Sequence, residues 1–300
     1  MRPLKIGVQL PEIEREVRWP EILDMARATE AVGLDSLWTG DHLLYRRPGE
    51  GPKGPWEAWT LLAALAAVTT RVELGPLVAA TSFHNPAMLA KMVTTVDEIS
   101  GGRLVLGLGA GWNETEYTAF GFPFDQRISR FEEAFTIIRT LLRDGHIDFD
   151  GRFYRARDCE LVPRGPRPNG PPLMVGSVGE RMLRITMPFV DSWNVWYSTY
   201  GNRPDGIPAL RDMVDAACRD AGRDPSEVER TVAVYVRMPG GSGREGGGYV
   251  VDTPEAVPIA DLAPMLRALA AEGIGHVQLV LDPITTGSIE ALAPALKELE

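Results

Sequence analysis

The chain has 300 residues, of which 44% are hydrophobic and 24% are charged, and these fractions are typical of a folded globular protein. They exclude a chain that is disordered along its whole length. The 31 Lys and Arg residues against 41 Asp and Glu residues give a formal net charge of -10. Because that charge repels nucleic acids and anionic membrane surfaces, we expect neither of them as a partner.

The sequence offers little for disulfide or metal chemistry. Its two cysteines, Cys159 and Cys218, form no CxxC pair, and its four histidines show no metal-ligating spacing. The first residues run directly into an apolar strand pattern without the features of a signal peptide. The longest apolar run, residues 61–68, falls well short of the roughly 20 residues that span a bilayer. We therefore expect a cytoplasmic protein without a metal site.

Short β-type segments alternate with longer helical patterns along the chain. The predicted strands are Lys5–Leu10, Ser36–Thr39, Val72–Val78, Arg103–Leu108, Pro172–Val175, Ser192–Trp196, Thr231–Arg237 and His276–Leu281. The predicted helices are Trp19–Val32, Glu57–Thr69, Pro86–Ser100, Arg127–Leu142, Glu180–Phe189, Ile207–Ala221, Ala260–Glu272 and Ile289–Leu299. Between the fourth and fifth strands, Asp144–Pro171 interrupts the alternation, and Ile147–Tyr154 predicts a hairpin that turns at Asp150 and Gly151.

Eight βα units predict a closed (β/α)8 TIM barrel in the α/β class, with an insertion between strands four and five. We expect residues 1–300 to form this single domain, and an open doubly wound sheet is the alternative. The segment 239–248 (PGGSGREGGG) has little apolar content. It therefore predicts a mobile surface loop between the seventh strand and its helix.

Barrel enzymes carry their active sites at the carboxyl ends of the strands. Asp41 and His42 follow the second strand, and a histidine there can exchange a proton near neutral pH. The alternative is that His42 only anchors its loop. Tryptophans near strand ends predict an aromatic pocket for a flat conjugated ligand, although each could instead lie in the core. They are Trp38, Trp56, Trp112, Trp193 and Trp196.

Two glycine-rich segments also follow strands. Gly176–Gly179 precedes a helix, whose first amide groups would form a site for a phosphate. The glycines at 107, 109 and 111 lack the GxGxxG spacing of a dinucleotide site, because Trp112 and Glu114 stand where that spacing needs glycine. These glycines instead allow a ligand ring to approach the backbone closely.

The sequence resembles the luciferase-like monooxygenase superfamily, specifically its branch that depends on the deazaflavin coenzyme F420. The resemblance is carried by 85–91, 95–104, 106–112, Trp38–His42, Glu116–Tyr117, Phe120–Gly121, Asp191–Asn194 and Ala221–Pro225. It implies an oxidoreductase that transfers a hydride between coenzyme F420 and a small organic substrate. Two alternatives remain: an FMN-dependent monooxygenase with a separate reductase, and a flavin-binding protein without catalytic activity.

The resemblance also implies roles for individual residues. The deazaflavin ring would pack on a bulge containing a cis peptide between Leu77 and Val78, and His42 would be the catalytic residue. The predicted cofactor-binding residues are Asp41, Leu77, Val78, Ala79, Ala110, Gly111, Asn113, Gly176, Ser177, Val178 and Gly179. The predicted substrate pocket contains Trp38, Trp56, Trp112 and Trp196.

Two positions depart from the family pattern. Many members have two glycines after strand five, where this chain has Gly176 and Ser177. The sugar-phosphate dehydrogenases of this branch have a glutamate where this chain has Trp112, which argues against that substrate. Separately, the helix over residues 61–68 is apolar on every side, so we expect it to be covered by a second copy in a homodimer. The alternatives are that its alanines are simply exposed to solvent, or that the loop Leu43–Trp56 covers them.

Overall fold

The computed structural model describes residues 2–46, 49, 51–241 and 253–300. Of the predicted loop 239–248, residues 242–248 lie outside this described part. The strands are β1 (Lys5–Gln9), β2 (Ser36–Thr39), β3 (Glu73–Pro76), β4 (Ala79–Ala80), β5 (Leu106–Gly109), β6 (His146–Asp150), β7 (Arg155–Glu160), β8 (Leu173–Gly176), β9 (Ser192–Val195), β10 (Glu229–Arg237), β11 (Val257–Pro258) and β12 (Ile274–Asp282).

Nine of these strands form a parallel sheet that curves into a barrel. Their order is β3-β2-β1-β12-β10-β9-β8-β5-β4, and β11 adds to β10 at the rim. The ring closes beside β3, where Leu74 accepts a hydrogen bond from the backbone N–H of Val105 at 2.8 Å and donates one to Arg103 at 3.0 Å. The predicted TIM barrel is therefore confirmed, and the open doubly wound sheet is excluded.

The helices of the described residues mostly cover the outside of the barrel. They are α1 (Trp19–Ala31), α2 (Ala58–Val68), α3 (Pro86–Ser100), α4 (Glu114–Phe120), α5 (Arg127–Asp144), α6 (Glu180–Thr186), α7 (Ile207–Asp220), α8 (Leu262–Ala271), α9 (Thr286–Glu290) and α10 (Ala293–Lys297). The prediction of a single helix over Ile289–Leu299 is wrong, because α9 ends at Glu290 and a separate helix, α10, begins at Ala293. Pro294 lies in the first turn of α10, where proline is tolerated. Helix α4 was not predicted as an element.

The third predicted strand, Val72–Val78, is divided in the structure. β3 ends at Pro76 and β4 begins at Ala79, and the peptide bond between Leu77 and Val78 is cis, as the resemblance implied. The hairpin between strands four and five is present as the antiparallel pair β6–β7. Its turn covers residues 151–154, where the N–H of Gly151 donates to the Tyr154 carbonyl, instead of centring on Asp150 and Gly151.

Polar side chains fill part of the barrel interior. The indole of Trp38 donates to the Ser36 hydroxyl at 2.7 Å, and that hydroxyl lies 2.7 Å from Nε2 of His276. Burial, with a smaller contribution from the positive charge of Lys5, lowers the pKa of His276 to about 3. His276 is therefore neutral, and it fills space inside the barrel instead of exchanging a proton.

In the part of the chain that the structure describes, no helix is long and apolar enough to cross a membrane. The same residues contain no group of three or more His, Cys, Asp or Glu side chains that could hold a metal ion.

Candidate active site

A cavity of about 630 Å³ opens at the carboxyl ends of the barrel strands. Its volume lies in the range of sites for small molecules and cofactors. Most of the predicted site residues line it, namely Asp41, His42, Leu77, Val78, Ala110, Gly111, Trp112, Gly176, Ser177, Val178, Gly179 and Trp196. The strand-end segments therefore meet at one cavity.

Four predicted site residues do not line this cavity. Trp38 lies inside the barrel against Leu77 and Met174, so its assignment to the substrate pocket is wrong. Trp56 is also wrongly assigned, because it is half-exposed outside the cavity lining, where its indole donates to the Val17 carbonyl at 2.7 Å. Ala79 and Asn113 are buried behind the wall, and the side chain of Asn113 donates to the Leu44 carbonyl.

Trp193 is also fully buried, but it supports the cavity wall from behind. Its indole donates to the carbonyl of Ser177 at 2.7 Å, which holds the segment after β8. Trp112 and Trp196 remain as the tryptophans of the wall.

Several lining residues were missed by sequence reasoning. They are Glu12, Tyr45, Glu116, Asn194 and Tyr197, among others. Glu12 and Asn194 could have been found, since Glu12 follows β1 and Asn194 lies near the carboxyl end of β9. Glu116 belongs to the matched motif with Tyr117, but nothing in its local sequence indicates its partner.

That partner is His42. Its Nδ1 lies 2.9 Å from Oε1 of Glu116, whose side chain is only 1% exposed. The second oxygen of Glu116 accepts from the backbone N–H groups of Leu43 and Leu44. One carboxylate on α4 thus fixes the histidine ring and the segment after β2. The Nε2 atom of His42 makes no hydrogen bond within the described residues, so it is available to a ligand.

The charge state of His42 is set by opposing effects. Burial lowers its pKa, but the hydrogen bond to Glu116 and the negative charges of Glu12, Glu116 and Asp41 outweigh burial, and the pKa is raised. The imidazole therefore holds its second proton to a higher pH than a free histidine does. In this state it can donate a proton to a bound substrate.

Asp41 connects two strands at the rim of the cavity. Its Oδ2 accepts from the backbone N–H of Ala80 at 2.8 Å and lies 3.5 Å from Nε2 of His84. Since Ala80 comes two residues after Val78 of the cis peptide, Asp41 holds the bulge formed by Leu77 and Val78 in place.

Glycines allow this bulge to lie close to the neighbouring backbone. A Cβ atom built on Gly109 would lie 2.8 Å from the Val78 side chain, and one built on Gly176 would lie 3.0 Å from it. Such distances are shorter than ordinary carbon contacts. The side chain of Val78 thus occupies space that any other residue at these two positions would need, and it lines the cavity there.

The sequence matches one protein-family profile and several named enzymes. The sequence profile described as "Luciferase-like monooxygenase" matches residues 5–238. Over 73% of its own length, the chain is 27% identical to 5,10-methylenetetrahydromethanopterin reductase of Archaeoglobus fulgidus. Over 59% of its own length, it is 32% identical to pyrimidine monooxygenase RutA of Agrobacterium fabrum. These matches cover 60% and 49% of the two relatives, so the chain spans only about half to three fifths of their length.

Solved structures show the same fold. An F420-dependent secondary alcohol dehydrogenase, in complex with an F420-acetone adduct, superimposes with a TM-score of 0.82 at 19% identity over 100% of both chains. The monooxygenase RslO1 of Streptomyces bottropensis superimposes with a TM-score of 0.77 at 20% identity over 98% of both chains.

We predict that Glu116→Gln lowers the pKa of His42. Without the carboxylate, the effect of burial is opposed only by the more distant charges of Glu12 and Asp41. Histidine NMR signals followed across pH 5–9 would measure the change. Glu114→Gln is the matched control, because Glu114 is exposed on the same helix. An unchanged His42 titration in Glu116→Gln would contradict the assigned ion pair.

Proposed function

Because the chain belongs to the luciferase-like monooxygenase family, we propose that it is a coenzyme F420-dependent oxidoreductase. It transfers a hydride between the deazaflavin and a small organic substrate at the carboxyl face of the barrel. The observation that carries the proposal is His42, held by Glu116 beside Asp41 on the cavity wall. The relatives with F420-dependent names support the choice of cofactor.

The residues of the cavity fit a flat ring with an anionic tail. The bulge of Leu77 and Val78 and the backbone at Ala110 and Gly111 offer a surface without charged groups for the ring. The segment 176–179 would hold the phosphate of the tail through its amide groups and the hydroxyl of Ser177. When bound, the deazaflavin supplies or accepts the hydride, which carries two electrons.

The protein then supplies the proton. On a carbonyl substrate, His42 donates from Nε2 the proton that the oxygen gains as the carbonyl carbon receives the hydride. On an alcohol, the same nitrogen removes the hydroxyl proton as the hydride leaves. Glu116 keeps the ring oriented, and Trp112 and Trp196 are positioned to exclude water from the substrate side.

An FMN-dependent monooxygenase is the second candidate, and the similarity to RutA favours it. A separate reductase would then supply reduced FMN. Titration of the protein with F420 and FMN in parallel distinguishes the two functions. We expect micromolar binding of F420, whereas binding of FMN alone would replace our proposal with the monooxygenase. Bound F420 without turnover of any acceptor would indicate a flavin-binding protein.

We predict that His42→Ala lowers turnover by about 100-fold or more and changes the affinity for F420 by only a few-fold. The reason is that His42 supplies the substrate proton, whereas the bulge and the segment 176–179 hold the cofactor. Steady-state kinetics and F420 fluorescence titration measure the two quantities. His146→Ala is the control, since His146 is half-exposed on the hairpin. Turnover that survives His42→Ala would make His42 a structural residue.

We predict that Gly179→Asp weakens binding of F420 or FMN about tenfold, because the added carboxylate repels the phosphate. The fold should tolerate the change. Gly179 has φ -75° as the residue that caps α6, and a Cβ there has no neighbour closer than 3.6 Å. Gly179→Asn has nearly the same shape without the charge and should bind normally. Equal affinities of both variants and the native protein would place the tail elsewhere.

We propose that a second copy of the chain covers α2. Leu61, Ala63 and Ala64 are half-buried on this helix, and the side chain of Val68 is 38% exposed. We predict that light scattering at micromolar concentration gives about twice the chain mass of 32.9 kDa, and that Ala64→Glu shifts the mass towards the monomer. A monomeric mass for the native protein would reject the dimer.

A further inference from the structure

The peptide between Ala110 and Gly111 forms part of the cavity wall, and side chains behind the wall hold it. The hydroxyl of Tyr117 donates to the Ala110 carbonyl at 2.9 Å, and the guanidinium of Arg127 donates to the Gly111 carbonyl at 3.0 Å. Tyr117 is fully buried and is not among the residues that line the cavity. The Ala110 carbonyl is therefore directed at the protein interior and away from the cavity.

Tyr117 is itself held in place by other aromatic rings. Its ring centroid lies 4.9 Å from that of Phe83 and 5.1 Å from that of Phe124. Burial raises the pKa of Tyr117 to about 12, so its hydroxyl keeps the proton at neutral pH. The side chain thus presents a fixed donor to the Ala110 carbonyl.

Gly111 makes both the approach of Tyr117 and its hydrogen bond necessary. The φ of Gly111 is +72°, and a Cβ there would lie 1.8 Å from the Tyr117 hydroxyl oxygen, so only glycine allows this packing. The same backbone freedom lets the peptide between residues 110 and 111 rotate. Without the hydroxyl, the Ala110 carbonyl would lose its buried donor, and rotation into the cavity would let it reach water. The oxygen would then occupy the surface that a bound ring needs.

We propose that Tyr117 is a positioning residue for the cofactor. Its hydroxyl locks the Ala110–Gly111 peptide with the carbonyl turned away from the cavity, which keeps an uncharged surface for the flat ring. The inference rests on the proposed function, because that function assigns the ring to this surface. Tyr117 follows Glu116 on α4, so two consecutive residues fix two parts of the site, the wall and the imidazole of His42.

Tyr117→Phe tests the lock in the protein without cofactor. The change removes the hydroxyl but keeps the aromatic ring, so the fold should persist, which circular dichroism verifies. Labelling with ¹³C-carbonyl alanine and ¹⁵N-glycine selects Ala–Gly peptide bonds in NMR spectra, and the sequence has two of them, Ala110–Gly111 and Ala221–Gly222. We expect the first signal to move or broaden and the second to stay. An unchanged Ala110–Gly111 signal would overturn the lock.

The second measurement is the affinity for F420 and, in parallel, for FMN, by fluorescence titration. We expect Tyr117→Phe to weaken binding about fivefold or more, as for the loss of one hydrogen bond. Tyr200→Phe is the matched control, because the Tyr200 hydroxyl donates to the Ala233 carbonyl at 2.7 Å and both residues are buried outside the cavity lining. It should lower the melting temperature to a similar extent and leave the affinity unchanged. An unchanged affinity in Tyr117→Phe, or an equal loss in Tyr200→Phe, would overturn the positioning role.

The titration of His42 separates this role from a general loosening of α4. Glu116 keeps its contacts in Tyr117→Phe, so the pKa of His42 should be the same as in the native protein. A lowered pKa of His42 in this variant would mean that Tyr117 only supports the helix, and it would overturn the specific role.

The two proposals fail in different ways. If the native protein binds neither F420 nor FMN, the proposed function fails, and the Ala110–Gly111 signal still decides whether Tyr117 locks the peptide. If the native protein binds one of them and Tyr117→Phe binds it equally well, the inference on Tyr117 alone fails.

Discussion

The candidate site depends above all on one buried carboxylate. Glu116 lies on α4 with 1% of its side chain exposed, and a charge buried to that extent is stable only when it is paired and hydrogen-bonded. The donors come from a segment more than 70 residues away in sequence, namely the ring of His42 and the backbone of Leu43 and Leu44. The desolvation of one side chain is thus offset by contacts that also fix the ring of His42 and its loop.

A second constraint shapes the neighbouring part of the wall. The bulge at Leu77 and Val78 enters the cavity because Gly109 and Gly176 leave space for the Val78 side chain, and Asp41 holds the returning strand at Ala80. Both constraints therefore involve the segment after β2, through Asp41 on one side and His42 on the other. The position of His42 and that of the bulge are therefore coupled through two consecutive residues.

The sequence predicted the barrel well because alternating strands and helices have different hydrophobic periods and clear ends, such as Asn85 before α3 and Gly101 after it. It did not distinguish Trp38 from Trp112. A tryptophan near a strand end faces the interior or the cavity according to the stagger of neighbouring strands, which is a property of the whole ring. The pair of His42 and Glu116 was also missed, because no local pattern links side chains so far apart in sequence. The cis bond between Leu77 and Val78 was predicted from the family resemblance and not from the hydrophobic pattern.

The carboxylates of the cavity and the segment proposed to hold the anionic tail of the cofactor lie on different parts of the wall. The carboxylates come from the segment after β1, the segment after β2 and from α4, whereas the segment 176–179 follows β8, which neighbours neither β1 nor β2 in the sheet. Neither that segment nor the bulge contributes a charged side chain to the described wall. Charge interactions weaken with distance, so an anion bound at residues 176–179 would meet mainly backbone amides instead of these carboxylates.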